Sequence, residues 1–120
     1  MKRSLVFDDG KAQTYFEFIY SAVLIGGLPK ERTGGVETLR REARILDALD
    51  AISDRHPNPT ETFANNEPAR VVRFGVVLTL DVADYELIKK RIEEAPWFPK
   101  VSRDVVRTLD WLTTAVVSEG

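Results

Sequence analysis

Four aspartates are the residues whose type could support metal chemistry, because carboxylate oxygens are the ligands that Mg²⁺ and Ca²⁺ prefer. They are Asp8, Asp9, Asp81 and Asp84. Each also has a structural interpretation: the first two begin a turn pattern that ends at Gly10, and the other two stand at the start of an expected helix. Their spacing is not that of an EF-hand loop, and the chain has no cysteine to supply a thiolate ligand. We therefore predict no bound metal and no cofactor.

The single histidine, His56, is the natural candidate for a general base. It lies beside Pro57 near the expected end of a helix, where a histidine more often hydrogen-bonds a carbonyl group or faces water. No stretch has the pattern of a nucleophile elbow or of another local triad signature. Because a convergent set of acid, base and nucleophile is missing, the sequence predicts a protein that is not an enzyme.

A loop with glycines at both ends runs from Gly26 to Gly35 and has the sequence GGLPKERTGG. Lys30, Arg32 and the amides of Gly34 and Gly35 could bind phosphate there, since the N-terminus of the helix that follows carries free N–H groups and a positive dipole. The spacing of a P-loop is absent, because no lysine follows a glycine at the required position. A polar connector with solvated charges is the ordinary interpretation of such a loop, and a phosphate or nucleotide site is the alternative.

Two adjacent aromatic residues, Trp97 and Phe98, stand between Pro96 and Pro99. If they are exposed they can anchor a protein partner, because large aromatic side chains dominate interface energetics. If they are buried they close the end of the protein's own core, which is the more frequent fate of such residues. The first hypothesis makes both of them candidate partner-binding residues.

The composition is that of one globular domain spanning residues 1–120. A net charge of −2, from 17 basic and 19 acidic residues, argues against a dedicated nucleic-acid-binding protein. No apolar run reaches the ~18–20 residues that a membrane span requires, and the apolar segment near the N-terminus is too short for a signal peptide. We expect a cytoplasmic protein with no membrane partner.

The stretch from Arg70 to Pro96 carries the clearest structural pattern. An apolar, β-branched run that ends at Leu80 predicts a strand, and because the run is nearly continuous we expect both faces of this strand to be covered. Gly75 within the run predicts a bulge, a bend or a close backbone approach. Asp81 then stands at the N-cap of an amphipathic helix, which Pro96 ends.

The stretch from Lys11 to Ile25 fits two structures. Its residue types are rich in β-formers and would suit a hairpin through the Asp9–Gly10 turn. Its apolar residues, however, recur at helical spacing, and two glycines follow as a stop signal. The spacing favours a helix, because burial often overrides residue propensity.

A longer helix is predicted from Val36 to Asp54. Its apolar stripe comprises Leu39, Ala43, Leu46, Leu49 and Ile52, and Val36 and Ile45 widen it. Glu42 and Asp50 fall inside the broad apolar arc of this helix, where a carboxylate must find a partner or reach water. Arginines from elsewhere in the chain or from a second subunit could pair with them, which makes these two acids candidate partner-binding residues.

A short strand from Ser4 to Phe7 and a last helix capped by Ser102 complete the pattern. The apolar stripe of the last helix comprises Val105, Val106, Leu109, Leu112 and Val116. The order of the elements predicts an α+β domain in which three to four helices pack on a small sheet of two to three strands.

Two segments have a distinctive helix patterning: LRREARILDALDAI, residues 39–52, and LTLDVADYELIKKRIEEAPW, residues 78–97. Both resemble small uncharacterised proteins encoded by tailed phages and prophages. The resemblance implies a viral origin and a role by binding, either in particle assembly or in interference with a host protein. It implies no site residues, and it implies a location in the cytoplasm of a bacterial host cell or in association with the virion.

We therefore expect a non-enzymatic interaction protein that self-associates or docks on a larger assembly or a host protein. The broad apolar face of the Val36–Asp54 helix motivates this expectation, as do the aromatic residues from Tyr15 to Tyr20 and at Trp97–Phe98. The alternative is a small-molecule or nucleotide-binding module that uses the Gly26–Gly35 loop.

Overall fold

The computed structural model describes residues 1–26 and 35–118. These residues form an α+β domain with four α-helices and two small antiparallel sheets, which confirms the predicted class. In chain order the elements are β1 (Lys2–Phe7), α1 (Ala12–Ile25), α2 (Gly35–Ala51), β2 (Ser53–Arg55), β3 (Arg70–Val72), β4 (Val76–Asp81), α3 (Val82–Glu94), α4 (Ser102–Leu112) and β5 (Val116–Ser118).

The larger sheet has β1 in the centre, with β4 and β5 antiparallel to it on either side. Leu5 and Leu78 are directly opposite each other, and both are buried in the core that the helices share with this sheet. The neighbouring residues Val77 and Thr79 are exposed instead. The expectation that both faces of this strand are covered was therefore wrong: the helices cover one face only. A single run of apolar residues did not show this, because valines occupy outward as well as inward positions.

The apolar run that ends at Leu80 is two strands rather than one. β3 belongs to the small sheet with β2, whereas β4 belongs to the larger sheet. The turn between them contains Gly75, whose φ of +83° is accessible to glycine at little cost, and whose N–H donates to the carbonyl of Phe7 at 2.7 Å. The predicted bend at Gly75 is confirmed, and it transfers the chain from one sheet to the other.

The ambiguous stretch after the first turn is helical, as the spacing of its apolar residues predicted. Phe16 and Ile19 of α1 are completely buried. The aromatic residues of this helix pack within the domain: Tyr15 stacks on Trp111 with 4.6 Å between ring centroids, and Phe16 contacts Phe7 at 6.2 Å. They are therefore core residues, which removes one of the two reasons for expecting an aromatic docking surface.

Gln13 of α1 binds the backbone of β3 as a neighbouring strand would. Its Nε2 donates to the carbonyl of Arg70 at 3.0 Å, and its Oε1 accepts from the N–H of Val72 at 2.9 Å. Both bonds are partly buried, so the two backbone groups depend on this side chain for their pairing. Gln13 thus joins the helix layer to the small sheet.

Replacing Gln13 by leucine is expected to lower the free energy of unfolding by about 2 kcal/mol, because it leaves two partly buried backbone groups without partners. Urea denaturation measures the change. The control is Glu17→Leu, which removes only the exposed bond between Glu17 and Gln13. Equal stability of the two variants would contradict the role assigned to Gln13.

The second helix ends earlier than predicted and buries only the C-terminal part of the predicted face. It stops at Ala51, and Ser53 and Asp54 belong to β2. Ile45 and Leu49 are fully buried, but Leu39 and Ala43 of the predicted stripe are exposed. The difference arises because the N-terminal half of α2 turns a polar side chain inward, namely Glu42, which pairs with a buried arginine of α3.

The last two helices also differ from prediction at their ends. Asp81 does precede α3, but its carboxylate makes no capping bond and pairs with Lys2 instead. Ser102 is the first residue of α4 rather than its cap, and Val116 begins β5 rather than continuing the helix. Val106 of the predicted stripe is exposed. The final strand was missed because three residues are too few for a periodic pattern.

Asp84, in the first turn of α3, holds α2 against α3. Its carboxylate is almost completely buried and accepts two hydrogen bonds from Arg44, at 2.8 and 2.9 Å. The Arg41 Nε lies 3.8 Å away. An aspartate that the sequence offered as a possible metal ligand is therefore committed to an ion pair within the chain.

Candidate functional site

The face of the larger sheet that points away from the helices is the main feature that the domain's own packing does not explain. Val6 and Val77 are opposite each other in the pairing of β1 with β4, and Val116 pairs with Ser4 in the next row. The exposed fractions of these three valines are 37%, 51% and 61%. Outward positions of a one-sided antiparallel sheet are usually polar. We call this surface, from the Lys2–Asp81 row to the Val6–Val77 row together with Val116, the outer sheet face.

The outer sheet face is apolar at one end and polar at the other. Next to the valines, the hydroxyl groups of Ser4 and Thr79 lie 3.0 Å apart and hydrogen-bond each other. Beyond them, Lys2 Nζ donates to Asp81 at 2.8 Å. The charges at this end cancel, so the face as a whole carries no net charge.

The hydrogen bond and the positive charge of Lys2 lower the pKa of the Asp81 carboxyl below its ordinary value. A carboxyl whose pKa is lower in the folded than in the unfolded state stabilises the fold above its unfolded pKa of about 4, and this contribution disappears as the pH falls through the lower folded value. Replacing Lys2 by methionine should therefore raise the pKa of Asp81 toward the ordinary value. An NMR titration measures this, with Asp54 as the internal control, since Arg73 lowers its pKa independently. An unchanged Asp81 would contradict the assignment.

Phe74 lies in the turn that leads into β4, at the apolar end of the outer sheet face. Its side chain is 75% exposed. Gly75, the next residue, is hydrogen-bonded to β1, so the position of Phe74 at this end of the sheet is fixed by the backbone. Phe74 is therefore an exposed aromatic side chain in the turn at this end of the larger sheet.

The two adjacent aromatics that the sequence offered as an anchor have different environments. Trp97 is partly buried: its ring meets Phe18 edge-on at 5.0 Å between centroids, and its Nε1 donates to the carbonyl of Ile92 at 2.8 Å. Phe98 is 73% exposed. The contacts of Trp97 are those expected of a side chain that closes its own core, so Phe98 is the member of the pair that a partner could reach.

The two acids of α2 both find partners within the chain. Glu42 Oε2 lies 3.3 Å from Arg91 NH1. Asp50 accepts a 2.6 Å hydrogen bond from the hydroxyl of Tyr20 and lies 3.3 Å from Arg70 Nε. Burial, followed by the hydrogen bond with Asp50, raises the pKa of Tyr20 well above its ordinary value. Both acids therefore pair with arginines from elsewhere in the chain, which is one of the two alternatives that the sequence left open; the other was arginines of a second subunit.

The proposed phosphate-binding loop is only partly described. Lys30, Arg32 and Gly34 lie outside the described residues, whereas Gly35 is the first residue of α2. A pocket of about 390 Å³ lies where the two described ends of the loop meet, and Arg91 is among its lining residues.

Two further candidates for chemistry, His56 and Asp9, have structural roles. The Nδ1 of His56 accepts a hydrogen bond from the N–H of Asn58 at 3.0 Å, and Asp9 accepts one from the N–H of Lys11 at 2.6 Å. Within residues 1–26 and 35–118, no three histidine or acidic side chains are grouped so that they could hold a metal ion.

The outer sheet face was not predicted, although the sequence contained a signal for it. From Val76 to Asp81 the residues at every second position are Val77, Thr79 and Asp81, and two of these are polar. This two-residue period indicates a strand with one solvated face. The signal was obscured because a valine takes the place of a polar residue at position 77.

No protein-family model, curated protein or solved structure matches this chain. None of the described helices is long and apolar enough to cross a membrane. What the fold and the surface define is a small α+β domain whose sheet is covered on one face by helices and presents an apolar patch on the other.

Proposed function

We propose that this protein acts by binding another protein chain through the outer sheet face, without catalysing a reaction. The observation that carries this proposal is the contiguous patch of Val6, Val77 and Val116 on a sheet face that no described element covers. Contiguous exposed apolar surface next to a polar rim is typical of protein interaction sites. Here the rim is the Lys2–Asp81 pair.

The chemistry of the outer sheet face favours a protein over other ligands. A flat sheet face does not enclose a small molecule, which usually requires a concave site. A nucleic acid requires a basic surface, whereas Lys2 is neutralised here by Asp81. An apolar centre with a neutral polar end matches the surface of another protein.

The resemblance to tailed-phage and prophage proteins suggests the setting in which such binding would act. In that setting the partner belongs to a viral particle or to the host cell. A viral origin stays a prediction, and the proposal does not depend on it.

Site-specific photo-crosslinking tests the proposal. A photoreactive amino acid is placed at position 77 on the outer sheet face or, as a control, at position 106, an exposed valine of α4 that is 55% accessible. Irradiation in the cells that make the protein should give a covalent protein adduct from position 77 and none from position 106. Adducts from both positions, or from neither, would contradict the proposal.

A second candidate function is a small-molecule or nucleotide-binding module at the Gly26–Gly35 loop. The observation that favours it is the pocket of about 390 Å³ at the described ends of that loop, which is within the usual size range of ligand sites. Calorimetric titration with ATP tests it: Lys30→Ala should weaken binding, and Lys100→Ala, an exposed lysine elsewhere, should not. The absence of binding by the unmodified protein would exclude this function.

A further inference from the structure

We draw no further inference here: the strongest candidate, the cavity of about 390 Å³ between the end of α1 and the start of α2, belongs to the loop site already described, and its buried arginine, Arg91, is already paired with Glu42 within the chain, so nothing in the structure shows which ligand it would take.

Discussion

Replacing Phe16 by alanine is expected to lower the free energy of unfolding by about 3–5 kcal/mol, because it opens a cavity in the centre of the core. Phe16 has no exposed surface. Its ring lies 5.7 Å from that of Tyr20 and 6.3 Å from that of Phe63, which ties α1 to the loop before β3. Denaturation by urea, followed by tryptophan fluorescence, measures the loss.

Phe98→Ala is the control for this prediction, since it removes the same side chain from a position that is largely exposed. We expect it to change the free energy of unfolding by no more than about 0.5 kcal/mol. If Phe16→Ala were as stable as Phe98→Ala, the aromatic cluster around α1 would not be the core of the domain. If Phe98→Ala were the more damaging variant, the assignment of Trp97 and Phe98 to different environments would be wrong.

The second large effect is expected at Glu42. Its replacement by alanine should cost about 3 kcal/mol, because it leaves the Arg91 guanidinium buried without its partner. The side chain of Arg91 is only 3% exposed, and its NH1 lies 3.3 Å from Glu42 Oε2. Its Nε makes no hydrogen bond to any described residue. Urea denaturation measures the change.

Two variants test whether pairing with Arg91 is the cause. Glu37→Ala removes an exposed glutamate from the first turn of the same helix and should have little effect. The double variant Glu42→Leu with Arg91→Met removes both charges and should be within about 1 kcal/mol of the unmodified protein, since replacing a buried ion pair by apolar residues is often neutral. A double variant as unstable as Glu42→Ala would show that packing of the Glu42 side chain, rather than its charge, is what α2 requires.

The helices follow from local sequence patterns. In α1 the apolar residues recur at helical spacing, and Gly26, which follows the helix, has a positive φ that glycine adopts at little cost. In α3 the buried residues Tyr85, Ile88 and Ile92 lie at the spacings that predicted them, and the helix stops before Pro96. These features depend on neighbours within about one or two helical turns, so the sequence alone determines them. The α+β class follows from their order.

The sequence could predict that the two acids of α2 are paired, but it could not predict which residues they pair with. The sequence indicates that a carboxylate in an apolar arc must be paired, but it does not indicate the partner. Arg91 is separated from Glu42 by 49 residues, and Arg70 from Asp50 by 20. Only folding brings these charges together. The exposure of Leu39 could not be derived from the sequence either. It follows from the inward position of Glu42, which depends on the distant Arg91.

The candidate site itself depends on the tertiary structure. Val6, Val77 and Val116 come from three strands that are far apart in the sequence, and they form one surface only because β1 pairs with both β4 and β5. Which face of a strand is covered depends on where the helices pack, and helices could occupy either face of an apolar strand. The sequence by itself indicated which segments are helical, the break at Gly75 and the class of the domain, because these arise from short-range sterics and periodicity. Strand pairing and the uncovered face were decided by contacts between distant parts of the chain, which no local pattern encodes.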